Sequence, residues 1–165
     1  MPLNIKRPRK KVPFYEDRAA GMQVTAAQKA LDEAQAADDR DRRMSSKGPA
    51  KERKHLEEVT AAAEATVLDL TLEALPRKRW AEALEAHPAR PGDASDKAFN
   101  LNIDTFLAEV LGESVVEARQ RGTGELRTDV TPADWTGAVA ELDDGQYSAL
   151  LLAILDLNRS AANPF

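Results

Sequence analysis

Apolar side chains in this chain recur mostly at intervals of three and four, the spacing of helices with one buried face. From about Met22 to Arg43 the residues are helix formers, Thr25 can cap the start, and Val24, Ala27, Leu31 and Ala34 make a narrow seam suited to one partner helix. Ser45 to Ala50 breaks the pattern, because Gly48 and Pro49 both disfavour helix. Leu56, Val59, Ala63 and Val67 then form a matching stripe, so the two segments predict an antiparallel hairpin with its alanine-rich seams face to face. Val67 to Leu75 reads both ways. Leu68, Leu70 and Leu72 alternate like a half-buried strand, while Leu68, Thr71, Leu72 and Leu75 fit a helix face; the reading leans to helix with a short strand kept open.

Pro76 starts a new helix that ends at His87-Pro88, with Trp80, Leu84 and His87 on one face. Residues 88–98 read as a polar loop, and Asn102 or Asp104 starts a helix to about Leu111 that buries Phe106, Leu107 and Val110. Residues 117–130, with Gly122 and Gly124 and no clear period, read as a flexible connection. Thr131-Pro132-Ala133-Asp134 is a helix-start signature: a capping hydroxyl, a proline at the first helical position and an acid three residues after the cap. After the Asp143-Asp144-Gly145 turn, Gln146 to Leu157 is the most apolar helix. The expected fold is therefore mainly α: an N-terminal antiparallel helical hairpin followed by a small all-helical globular domain, with one short strand near 67–73 left open. The expected organisation is a basic, disordered arm over 1–21, the charged hairpin over 22–66, the globular domain over 67–158 and a flexible tail over 159–165.

Composition locates the core. Of 165 residues 29 are alanine, and of the 41 larger apolar side chains only ten precede residue 56, so a substantial core belongs to the rest. The chain contains no cysteine, which removes disulfides and thiolate metal sites. The longest unbroken apolar run, Ala149 to Leu155, falls far short of the roughly 20 residues a spanning helix needs. A soluble protein that stays in the compartment where it is made is expected.

Net charge is −5, yet Lys6, Arg7, Arg9, Lys10 and Lys11 place five positive charges in the first eleven positions. An electrostatic arm for nucleic acid is one reading. Against it, no aromatic interleaves with the cations, and Pro2, Pro8 and Pro13 prevent a recognition helix. No catalytic constellation is visible either: no nucleophile sits with a base, no Gly-rich phosphate loop carries a lysine, and His55 and His87 have no ligand spacing. The expectation is a non-enzymatic chain with no catalytic residue, metal or cofactor.

ALPRKRWAEALEAHP at 74–88, NLNIDTF at 100–106, TPADW at 131–135 and DDGQYSALLLAILDLN at 143–158 together resemble, in order and spacing, the tail assembly chaperones of long-tailed actinobacterial phages. The resemblance spans residues 67–158 and rests on structural motifs. It implies a chaperone that keeps the helical, apolar tape measure protein soluble in the host cytoplasm, is absent from the mature virion, and is the shorter partner of a frameshifted longer version of itself. Implied partners are the tape measure protein, that longer version, further copies in a homo-oligomer and the tail tube protein, with no membrane. A holdase for a helical client needs apolar grooves. Trp80, Leu84, Phe106, Trp135, Tyr147 and Leu151 are the candidates to line one, set against the simpler reading of each as core. The alternative from another class is a virion structural part, a head-to-tail connector or minor tail subunit; a third is a DNA-binding regulator using the basic arm.

Overall fold

Val67–Glu73, the stretch the pattern left between helix and strand, is the middle of a sheet. A computed structural model describes residues 5–40 and 48–159, and its three strands, β1 (Arg9–Tyr15), β2 (Val67–Glu73) and β3 (Val115–Gln120), pair antiparallel in that order. The expected hairpin followed by an all-helical domain is thus corrected to a mixed α/β fold. The reason at β2 is burial: a helix would leave Leu70 off the face shared by Leu68 and Leu72, whereas a strand between two others buries all three, at 1% exposure or less.

β1 replaces part of the expected disordered arm. Val12 and Phe14 alternate with half-buried or exposed neighbours and are themselves buried, which a free arm would not allow. The Ala74 N–H donates to the Pro8 carbonyl at one end and the Glu16 N–H to the Thr66 carbonyl at the other, each at 3.0 Å, so one register without a bulge runs the length of the pair. That register turns the backbone polar groups of residues 9, 11, 13 and 15 to the outer edge. Pro13, which has no N–H to give, sits where none is needed by the ladder. Residues 1–4 of the expected arm lie outside the described residues.

β3 corrects the expected flexible connection over 117–130. Val115 and Val116 favour a strand, Ala118 is buried, and the chain reverses through Gly122 and Gly124 at φ 77° and 71°, a left-handed backbone that glycine adopts without steric cost. Past that turn the Arg127 N–H donates to the Ala118 carbonyl, and Arg119 bridges antiparallel to Leu126. Periodicity hid this strand because its other face is polar. The Arg121 N–H donates to the Val67 carbonyl, which sets Asp69 opposite Arg119 and Thr71 opposite Glu117. With Arg9 opposite Glu73 and Lys11 opposite Thr71, the outer face of the sheet is a ladder of mixed charge.

The chain divides into two compact units. The second comprises Phe14–Leu68 and Gln120–Glu125. In it α1 (Arg18–Arg40) and α2 (Ala50–Glu64) lie along one another, yet only Ala20, Ala27, Leu31 and Ala63 of the two helices are buried. α1 starts ahead of the expected Thr25 cap because the Asp17 carboxylate accepts the N–H groups of Ala19 and Ala20. Of the expected break, Gly48 and Pro49 directly precede α2; residues 41–47 lie outside the described residues.

The first unit, Met1–Pro13, Asp69–Arg119 and Leu126–Phe165, holds α3 (Arg77–Ala86), α4 (Ala94–Phe99), α5 (Ile103–Ser114), α6 (Pro132–Ala138), a 3-10 turn at Val139–Glu141 and α7 (Asp144–Arg159). α4 stands in the expected 88–98 loop, with Asp93 capping it and Asn100 closing it at φ 56°. Asn102 caps α5, and Thr131 and Asp134 form a reciprocal capping box on α6. Phe106, Leu107, Val110 and Leu111 of α5, together with Leu150 and Ile154 of α7, are fully buried. Arg159 is the last residue of α7; the remainder of the expected 159–165 tail lies outside the described residues.

Candidate functional site

All six apolar candidates fall in the first unit, and burial separates them. Phe106 is fully buried, and Leu151 and Trp135 are 4% and 5% exposed, so these three are core side chains. Trp80, Leu84 and Tyr147 are half-buried. Trp80 on α3 meets the Phe106 ring edge to face, with centroids 5.3 Å apart at 89°, a favoured quadrupolar arrangement. The Tyr147 hydroxyl donates to the Ile103 carbonyl at the start of α5, and burial pushes its phenol above the ordinary value. Trp80 and Tyr147 therefore each present an accessible part on a ring held by the core. Leu84 presents a plain aliphatic surface.

A shallow cleft of about 90 Å³ opens among the end of α5, β3 and the start of α6, lined by Val115, Val116, Val130 and Trp135 and by the charged Glu117 and Arg127. Val116 and Leu126 are 44% and 43% exposed and lie on the two arms of the β3 turn. Sequence reasoning missed them because Leu126 lies in the segment read as flexible, over 117–130, and Val116 directly precedes it. The alternation of Val116, Ala118 and Gln120 with Val115, Glu117 and Arg119 was the available signal.

Charged side chains make three networks in this unit. Arg79 on α3 bridges Glu109 and Glu113 one turn apart on α5, and hydrogen bonds to both carboxylates raise its already high pKa. His87, at the end of α3, shares a 2.8 Å hydrogen bond with the Thr105 hydroxyl, stands edge-on to Phe106 and receives the Asn102 N–H on its carbonyl. In the second network the fully buried Asp96 accepts from the Arg90 Nε at 2.6 Å, the Arg90 Nη2 at 3.0 Å, the Arg90 N–H at 2.9 Å and the Ile103 N–H at 3.1 Å. These bonds, those from the Arg90 guanidinium foremost, hold its carboxyl below the ordinary carboxylate range.

That depression fixes a pH response. A carboxyl whose folded pKa lies below its unfolded value, about 3.9, contributes stability that is complete above that value and drains away as pH falls through the folded one. Asp96→Asn should therefore lower the urea midpoint at neutral pH and flatten its decline between roughly pH 5 and pH 2. Urea titrations across that window check it. A variant whose acid decline parallels that of the unmodified chain would contradict the assignment.

The third network belongs to the basic residues. Arg7 and Arg9 both pair with the one carboxylate of Glu73, Arg9 at 2.6 Å, and Lys10 reaches Asp156 on α7 at 3.0 Å. Lys11 lies close enough to Glu117 to help lower that carboxyl, after the larger effect of its hydrogen bond with Arg119. Lys6 lines a cavity beside them. The structure thus brings Lys6, Arg7 and Arg9 around one cavity beside Glu73, while Lys10 points to the helices. Glu73 was the residue missed: 64 positions from Arg9, it gave no local sign of its partner.

Among the described residues no group of three or more His, Asp or Glu is placed to hold a metal ion, and no helix is long and apolar enough to cross a membrane. What the arrangement offers is surface: two half-buried rings, a small cleft of mixed polarity and a basic strand edge. Compared with protein-family models, with curated proteins and with solved structures, the chain matches none.

Proposed function

We propose that this chain is a phage tail assembly chaperone, the shorter, non-frameshifted version, which binds the tape measure protein in the host cytoplasm and keeps it soluble until the tail tube takes its place. The observation that carries the reading is the ordered resemblance over 74–88, 100–106, 131–135 and 143–158, whose residues fall on α3, the capped start of α5, the capped start of α6 and α7 of a single compact unit. Trp80, Leu84 and Tyr147 suit the apolar face of a client helix. They are few and only half-exposed, consistent with modest affinity at each copy and binding strengthened by several copies. Its work is binding, with no bond made or broken.

Co-expression tests this. The cognate tape measure protein, insoluble alone, should become soluble and co-purify with the chain. A tape measure protein that stays in the pellet, or turns soluble without co-purifying, defeats the proposal. The chain should also be absent from purified virions by mass spectrometry; its presence at stoichiometric levels would make it a structural part of the particle.

A further inference from the structure

β1 has a free outer edge, and a basic cavity opens beside it. The strand is terminal in the sheet, and its register turns the backbone N–H and C=O groups of Arg9 and Lys11 away from β2, where they meet no backbone partner among the described residues. An unpaired edge of this kind is a template for another extended chain. The cavity, of about 530 Å³, is lined by Ile5, Lys6, Arg7, Arg9 and Glu73. Three cations there face one carboxylate, and both guanidiniums are already oriented by it, so the surplus positive charge is held in place before any ligand arrives. Ile5, 79% exposed, adds an apolar contact at the rim.

We propose that the outer edge of β1 binds an acidic, extended segment of another protein, which adds to the sheet as a fourth strand with its carboxylates against Arg7, Arg9 and Lys11 and, at the cavity, Lys6. Side chains of a strand alternate between faces, so acids at every second position would meet Arg7, Arg9 and Lys11, which share the outer face. Pro13 limits the pairing to the first half of β1, where its missing N–H is not yet felt. A peptide fits better than nucleic acid: the cavity is lined by no aromatic ring on which bases could stack, and a strand edge complements a peptide backbone. A second copy of this chain fits less well, because the acidic pair Asp38-Asp39 lies in α1 and Asp143-Asp144 at the start of α7, neither of them extended. The inference does not depend on the chaperone reading.

Fluorescence anisotropy on the full chain tests it, using a labelled peptide of about ten residues alternating Glu and Val, long enough to span the free edge. The acidic peptide should bind and weaken with added salt, and the same peptide with Lys for Glu should not bind. Lys11→Pro removes an outward N–H and leaves the β2 ladder intact, and Lys6→Glu reverses a cavity charge outside the strand; each should weaken binding roughly tenfold. Circular dichroism verifies that both variants fold, and Lys6→Glu keeps the test decisive if Lys11→Pro does not. Equal binding of the two peptides, unchanged affinity in the folded variants, or displacement of the peptide by oligodeoxythymidine would each overturn the proposal. So would concentration-dependent self-association that Lys11→Pro abolishes.

Discussion

Replacing Phe106 by alanine should cost about 4 kcal/mol of unfolding free energy, the largest single loss expected of any apolar truncation in the chain. The ring is fully buried on α5, the Trp80 ring meets it edge to face at 5.3 Å and the His87 ring stands at 6.0 Å. Removing it takes away the transfer free energy of a whole aromatic side chain. A cavity also remains, and two rings that packed on Phe106 lose their partner, while the surrounding helices can close on the gap only in part. Urea denaturation followed by circular dichroism measures the loss, with Leu152→Ala as the comparison, because Leu152 on the same unit is 50% exposed and should change stability by less than about 1 kcal/mol. A Phe106→Ala protein as stable as the Leu152→Ala protein would mean that the ring is not part of the core. The pair also guards the reading of function: loss of client binding in Phe106→Ala would report a damaged fold and would not identify a contact residue.

Gly112→Ala should be the most costly small substitution, at about 3 kcal/mol, through overpacking alone. A β-carbon at Gly112 would stand 2.5 Å from the Pro132 carbonyl oxygen, with the carbonyl carbon and Cα at 3.1 and 3.2 Å. Those atoms are backbone, and they sit at the first residue of α6, held by the Thr131 and Asp134 capping box, so they cannot swing aside as a side-chain tip would. Glycine at 112 is needed for the close approach of α5 to the start of α6, and its own backbone is ordinary helix. Gly137 is the control: a β-carbon there meets nothing within 4 Å, so Gly137→Ala in α6 should leave stability unchanged or raise it by roughly 0.5–1 kcal/mol. Equal midpoints for the two alanine variants would contradict the close approach.

The parts of the fold legible in the sequence are those whose cause is local. The helix over Pro76–His87, a helix start at Asn102 or Asp104, the Thr131 capping box and the apolar stretch of α7 were readable because a cap or a proline acts within four residues of itself. Val67–Glu73 was half legible, since its three alternating leucines fit a strand but also overlap a helix face. β1 was not, because Arg9, Lys10 and Lys11 look like a solvated arm until Glu73 and Asp156 are set beside them. The candidate contact residues show the same divide. Trp80, Leu84, Phe106, Trp135, Tyr147 and Leu151 stood in the sequence as groove candidates or core, and which of them keep an exposed part depends on what packs against them; only Trp80, Leu84 and Tyr147 do so.

By itself, then, the sequence determined where several helices begin, that most of the large apolar side chains lie past residue 55, and that the first eleven residues carry a concentrated positive charge. Tertiary structure decided that the chain contains a sheet, that β1 is its edge and β2 its centre, and that Arg9 and Lys11 share one face of it while Lys10 turns to Asp156 on the other. The physical reason is distance along the chain. Capping and periodicity act between near neighbours, whereas a strand is stabilised by hydrogen bonds and side-chain pairs from segments as far apart as Arg9 and Glu73, and these exist only once the fold has brought them together.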